Sequence, residues 1–253
     1  EEPKEEEEEI SEKNKYTESL NFSSFVKCKK DVKPLTEKWS KFFGKGIKTL
    51  IYINENPYCT YQLVIDILKN FDKKLNIKSI NHLKKILISV YEIYREYTYQ
   101  IGKIWEEEGK LIFSRKLLLG TITLETAIID ENYYITVLDI LLLSEYYNIP
   151  IVLISSYKIL NFKDIIITNK NGEKYYFILV PKVVNNKIPE YKLFTSNTPF
   201  IKINQLTLPF QTSIRIENSF NLKQYLIDKS KVKIKLDKDK ITEKLSSLRQ
   251  KSQ

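Results

Sequence analysis

Cys59 is the residue of this chain best placed to do chemistry. It follows a β-branched stretch, Ile47–Ile53, and a turn at Asn54–Pro57, and it opens an apolar-striped segment that runs to Phe71. A thiol at the start of a helix feels the positive end of the macrodipole, which favours the thiolate that a nucleophile needs. From position alone, the better fit is a small side chain buried where a strand meets a helix. A thiolate also needs a base, and His82 is the sole histidine. It precedes Leu83 at the start of a second helical pattern, flanked by Asn81 and Lys84, so the pattern makes it a helix-flank residue at the far end from Cys59. A Cys59–His82 dyad is therefore not expected. Thr136 and Asp139 have capping-box spacing, which explains Asp139 as a helix cap. One histidine and two cysteines, without C-x-x-C or H-x-x-x-H spacing, make no zinc site. Gly44-Lys-Gly46 falls short of a phosphate-binding loop. No metal and no cofactor is expected.

The elements that must position these residues are legible in outline. A short helix around Trp39, Phe42 and Phe43 closes at Gly44 and Gly46, and Ile47–Ile53 follows as a strand. Cys59–Phe71 reads as a helix with Leu63, Val64, Ile67, Leu68 and Phe71 on one stripe. Ile80, Leu83, Leu87, Val90, Tyr94, Tyr97, Ile101 and Ile104 then continue three and four apart, which predicts one long helix ending at Glu106–Gly109. A third helix opens at the Thr136 box and stops at Asn148 and Pro150, ahead of a buried strand, Ile151–Ile154. Asp164–Thr168 and Lys174–Val180 flank Asn169–Gly172, the pattern of a hairpin. Beyond Pro181 the reading is irregular, with loops at Pro189, Pro199 and Pro209, a short helix near Leu222–Ile227, an edge strand at Val232–Leu236 and a last helix at Ile241–Arg249. Helices alternating with strands predict an α/β (α+β) fold, a small central mixed sheet flanked by helices.

The segment Asn56-Pro-Tyr-Cys-Thr-Tyr61, between a strand and a helix, resembles the nucleophile segment of the ovarian-tumour (OTU) family of cysteine proteases, where an aromatic residue stands two places after the cysteine. Asp139–Leu153 is similar to that family's late helix and its Ile-x-Ile strand, and Lys174–Leu179 to the strand that carries the catalytic histidine beside a tyrosine. The resemblance spans residues 45 to 180. It implies Cys59 as a remnant nucleophile and Tyr61, Tyr175 and Tyr176 as residues of a binding site. It also implies a lost chemistry. Tyr175 and Tyr176 occupy the strand of the general base, and a phenol that titrates near 10 is a poor acceptor for a thiol proton. Pro57, two places before Cys59, has no N–H for an oxyanion.

Composition bounds the rest. The chain has 253 residues and a net charge of +9, with seven glutamates among its first nine residues and a lysine-rich stretch at 229–253. Residues 1–30 are expected to be an acidic disordered tail, 31–228 the globular OTU-like domain, and 229–253 a basic extension. Methionine is absent, even at position 1, which points to a segment of a longer polypeptide. The wealth of Lys, Asn, Ile and Tyr suggests an AT-rich genome such as that of a large DNA virus. No apolar run is long enough to span a bilayer, and two cysteines are too few for a disulfide scaffold, so a reducing, cytoplasmic interior or a virion is expected.

The sequence therefore reads as a catalytically inactive OTU-like module with a structural or interaction role inside a larger polypeptide. Its partner would be a protein, ubiquitin-like by the resemblance, or the parent polypeptide. Two alternatives stand beside it: an active deubiquitinating protease using Cys59, and a basic nucleic-acid-binding or virion component acting through its C-terminal segment.

Overall fold

The computed structural model describes residues 28–75, 77–156, 165–170 and 172–228. The acidic leader up to residue 27, the edge strand expected at Val232–Leu236 and the helix expected at Ile241–Arg249 lie outside the described residues. What is described is a mixed α/β structure in three layers. Seven strands form the middle layer, in the order β1 (Lys30–Pro34), β2 (Lys48–Tyr52), β6 (Lys192–Thr195), β5 (Lys174–Val180), β3 (Ile151–Ser155), β4 (Ile165–Ile167), with β7 (Ile201–Lys202) paired to β5 off this path. β3 and β5 run parallel, and the other pairs are antiparallel.

The alternation of side chains along each strand divides the core in two. Ile151, Leu153, Tyr176, Ile178 and Leu193 face a thick helical layer. That layer holds α2 (Tyr58–Phe71), α3 (Ile80–Ile93), α4 (Thr98–Glu107), α5 (Leu111–Leu118), α6 (Leu124–Ile129) and α7 (Val137–Tyr147). Val152, Ile154, Tyr175, Phe177 and Phe194 face the opposite way, under α1 (Glu37–Ser40) and α8 (Leu208–Ile216), where Phe43 and Phe210 stack edge-on. Leu138–Ser144 of α7 are buried without interruption, so this helix is the centre of the helical layer and is exposed to solvent only in its last turn, at Glu145 and Tyr146. Asn148, at φ 55°, ends it in the left-handed conformation that asparagine tolerates.

Three expectations are corrected. The long helix is two: α3 ends at Ile93, Arg95–Tyr97 form a 3-10 turn, and α4 starts at Thr98. An unbroken helix would hold Tyr91 and Trp105 about 21 Å apart along its axis. The break folds Trp105 back, so that its Nε1–H donates to the Tyr91 hydroxyl at 3.1 Å. The hairpin is not one either, because β4 and β5 flank β3 on opposite edges. Thr168 N–H donates to Ile151 O and Tyr176 N–H to Pro150 O, so the chain crosses beneath the start of β3 and returns on its other side. A strand buried on both faces needs a ladder on both edges. Finally, Pro209 does not mark a loop but sits in the first turn of α8, where its missing N–H costs nothing. The sequence pattern gives no sign of strands β1, β6 and β7 or of helices α5, α6 and α8.

Candidate functional site

The strand β2, the turn at 53–57 and α2 place Cys59 in the first turn of the helix, as its pattern required. Its sulfur, however, is bonded to that of Cys28, just ahead of β1, with Cα atoms 5.2 Å apart. The pair is buried, with Cys59 1% exposed and Cys28 8%. The two thiols expected of a reducing interior are thus one disulfide, and a bonded sulfur has no thiolate to offer. The backbone around it is equally committed. Tyr58 N–H donates to Asn56 Oδ1 at 3.0 Å, Cys59 N–H to Asn56 O and Thr60 N–H to Pro57 O. With Pro57 lacking its own N–H, no amide from 57 to 60 is left pointing at an oxyanion.

The other residues singled out in the sequence are not gathered around this sulfur. His82 sits at the start of α3, where its N–H donates to Ser79 Oγ at 3.1 Å and its Nδ1 accepts from Lys78 N–H at 3.4 Å. Tyr61 is buried in the helical layer and donates its hydroxyl to Tyr133 O at 3.1 Å. Tyr175 and Tyr176 point to opposite faces of the sheet. The Tyr175 hydroxyl accepts Gly172 N–H, and the Tyr176 hydroxyl donates to Asn70 Oδ1 at 2.9 Å. All three rings are core residues whose polar ends are satisfied, an ordinary use of tyrosine.

A buried ion pair that nothing in the sequence pattern marks lies in the helical layer. Lys110 and Asp139 form an ion pair at 2.6 Å with both side chains wholly buried. Asp139 Oδ1 accepts the Tyr91 hydroxyl at 2.7 Å and the Tyr133 hydroxyl at 2.6 Å, and Oδ2 accepts Thr136 N–H at 2.7 Å. The Lys110 ammonium lies 3.8 Å from the centre of the Tyr133 ring. Burial pulls the Lys110 amine down while Asp139 pulls it back up, and burial drives the Tyr91 and Tyr133 hydroxyls well above their ordinary range. Asp139 is the capping carboxylate that was expected, and also the hub of this network. The hydrogen-bonding capacity of this pair is taken up inside the core, where it ties α3, α7 and the α4–α5 corner together.

Glu108 is the odd carboxyl beside it. Its Oε1 accepts Leu138 N–H at 2.8 Å, and its Oε2 is buried without a hydrogen-bond partner. Burial pushes it up to about 7, with Thr136, Lys110 and the Leu138 amide opposing and Asp139 assisting. Between the ordinary value of 4.5 and about 7 the folded protein keeps a proton that the unfolded chain has released. Stability is therefore expected to fall as pH rises through that window, by roughly 3 kcal/mol in all. Urea unfolding of Glu108→Gln at several pH values should show a much flatter slope. An unchanged slope would mean that another group titrates there.

Two depressions flank the N-terminal end of α2. One, of about 230 Å³, is lined by Asn54, Glu108, Thr136 and the loop 180–191. The other, of about 400 Å³, is lined by Pro57, Ile112, Lys116, Asp130, Asn186 and others. Among the described residues, no three His, Cys, Asp or Glu side chains are grouped to hold a metal ion, and no helix is long and apolar enough to cross a membrane. Lys84, pulled down to about 8 by burial, donates to Ile129 O and Asp130 O at the end of α6, a capping role. No protein-family model matches the chain, and neither the curated proteins nor the solved structures hold one that is detectably similar.

Proposed function

We propose that this chain is an OTU-like module without peptidase activity that works by binding another protein segment, within a larger polypeptide. One observation carries the reading: the sulfur at the nucleophile position is bonded to Cys28 and buried. The surroundings support it. The amides at 58–60 are engaged within the turn, and the strand where a base is expected contributes two buried phenols, neither aimed at the sulfur. The binding half of the reading rests on the exposed apolar side chains of α5 and of the loop after β5, because monomers rarely leave several such side chains together in water.

A ubiquitin probe carrying an electrophile at its C-terminus tests the catalytic half. It should give no adduct at Cys59, with or without a thiol reductant. An adduct formed under reducing conditions and abolished by Cys59→Ala would establish a working nucleophile and overturn the proposal.

A further inference from the structure

The loop after β5 is stitched to the corner between α4 and α5. Asn186 N–H donates to Gly109 O at 2.7 Å, Asn186 Oδ1 accepts Ile112 N–H at 3.3 Å, and Asn54 Nδ2 donates to Ile188 O at 2.8 Å. Val183 and Val184 come so close to Gly109 that a Cβ there would stand 3.0 Å from the Val183 methyl. Loop and helix thus share one face, and its apolar groups are open to water. Ile112 is 55% exposed and Leu119 78%, and Val183 and Val184 are exposed beside them. Ile112, Lys116 and Leu119 fall four and three apart, along one stripe in and just past α5.

Arg115, Lys116, Lys182 and Lys187 are interleaved with these side chains, and none makes an ion pair with another described residue. Asp130, the carboxylate in the nearby depression, already accepts Asn132 N–H at 2.8 Å. The face therefore presents apolar groups among cations that make no ion pair with a described residue, while the carboxylates of the adjoining depression are engaged elsewhere, Glu108 accepting Leu138 N–H and Glu190 lying 4.0 Å from Lys192. It fits an acidic peptide with apolar anchors.

We infer that the occupant is the acidic leader of this same chain, Glu1–Ile10. It carries seven glutamates in nine residues, followed by Ile10. The leader joins the described structure at Cys28, which is bonded to Cys59, and Pro57, two residues from Cys59, is in the wall of the depression beside Lys116. The disulfide thus roots the leader at the edge of the face. The chain between Ile10 and Cys28 spans at most ~60 Å when extended, which is ample reach. A tether of this kind sets an effective concentration on the order of millimolar, so weak contacts suffice. The inference deepens the interaction reading and rests on it: the leader is an internal competitor that an acidic partner segment must displace.

Carbodiimide cross-linking of the full chain tests this, because the reagent joins a carboxylate directly to an amine only where the two meet. Linked peptides read by mass spectrometry should join Glu1–Glu9 to Lys116, Lys182 and Lys187. Their yield should exceed that at Lys41 and Lys45, beside α1 on the far side of the sheet, by about fivefold or more. High salt should lower it severalfold. Charge reversal, Lys116→Glu with Lys187→Glu, should remove the preference and leave Lys182 linked no more often than Lys41. A map spread evenly over exposed lysines, links only between separate molecules, or no links from the leader would each overturn the docking. A scattered map leaves the non-catalytic reading standing, and probe labelling of Cys59 overturns that reading without altering the map.

Discussion

Asp139→Ala is expected to lower the unfolding free energy by about 3–5 kcal/mol, the range for breaking a buried ion pair by removing one partner. The loss is large because the carboxylate serves more than one donor. Without it the Lys110 ammonium stays buried, and the hydroxyls of Tyr91 and Tyr133 and the amide of Thr136 lose their acceptor. Lys110→Met should cost less. The methionine fills much of the same space, and the carboxylate keeps its tyrosine and backbone donors, although it is then an uncompensated charge. For a domain of this size the aspartate variant should melt roughly 10 °C lower. The double variant Lys110→Met/Asp139→Ala should be more stable than the sum of the single losses predicts, by about 1–3 kcal/mol, because each single change leaves a stranded charge that the other removes. Urea unfolding at neutral pH measures all four corners of this cycle. Strict additivity would show that the two groups do not form one network.

This network also shows where the sequence stops being readable. Thr136 and Asp139 announce a helix start through local spacing, and the structure contains that cap. Nothing local marks Lys110, which follows a glycine in a chain full of lysines and looks like one more surface cation. Its burial is decided by α4, α5 and α7 converging, a tertiary event. Tyr91 and Trp105 are similar. Their apolar period fits one helix as well as two, and only their contact distinguishes the cases. Strand β6 escaped because Leu193 and Phe194 are both buried, one toward each core, so its four residues show no polar alternation.

At the candidate site, position was legible and chemical state was not. The strand–turn–helix context of Cys59 follows from its neighbours, whereas its bond to Cys28 joins residues 31 apart and needs the β1–β2 ladder to bring them together. Tyr61, Tyr175 and Tyr176 invited a binding role by their place in a motif. Their hydroxyls find partners inside the core instead, and aromatic residues on strands and helices are more often used this way than displayed.

Removing the Cys28–Cys59 bond should destabilise the fold by about 3–4 kcal/mol, from the loop-closure entropy of a cross-link spanning a loop of this length. The effect should be uneven. β1 is an edge strand, mostly exposed, and its described ladder is to β2 alone. It carries the charged residues Lys30, Asp31 and Lys33, which suit an edge strand that must not recruit another. With the disulfide gone, β1 keeps its hydrogen bonds but loses the clamp that ties its approach to α2, so it should open at a lower free energy than the sheet centre. Hydrogen exchange with and without a dithiol reductant resolves this. Amides of β1 should lose protection on reduction, while those of β3 and β5 change little, and the urea midpoint should drop. Cys28→Ser/Cys59→Ser should behave like the reduced protein and ignore the reductant. The same midpoint in both redox states would mean that the two sulfurs do not clamp the strand. Loss of protection in β3 as well would mean that the bond holds the whole sheet rather than its edge.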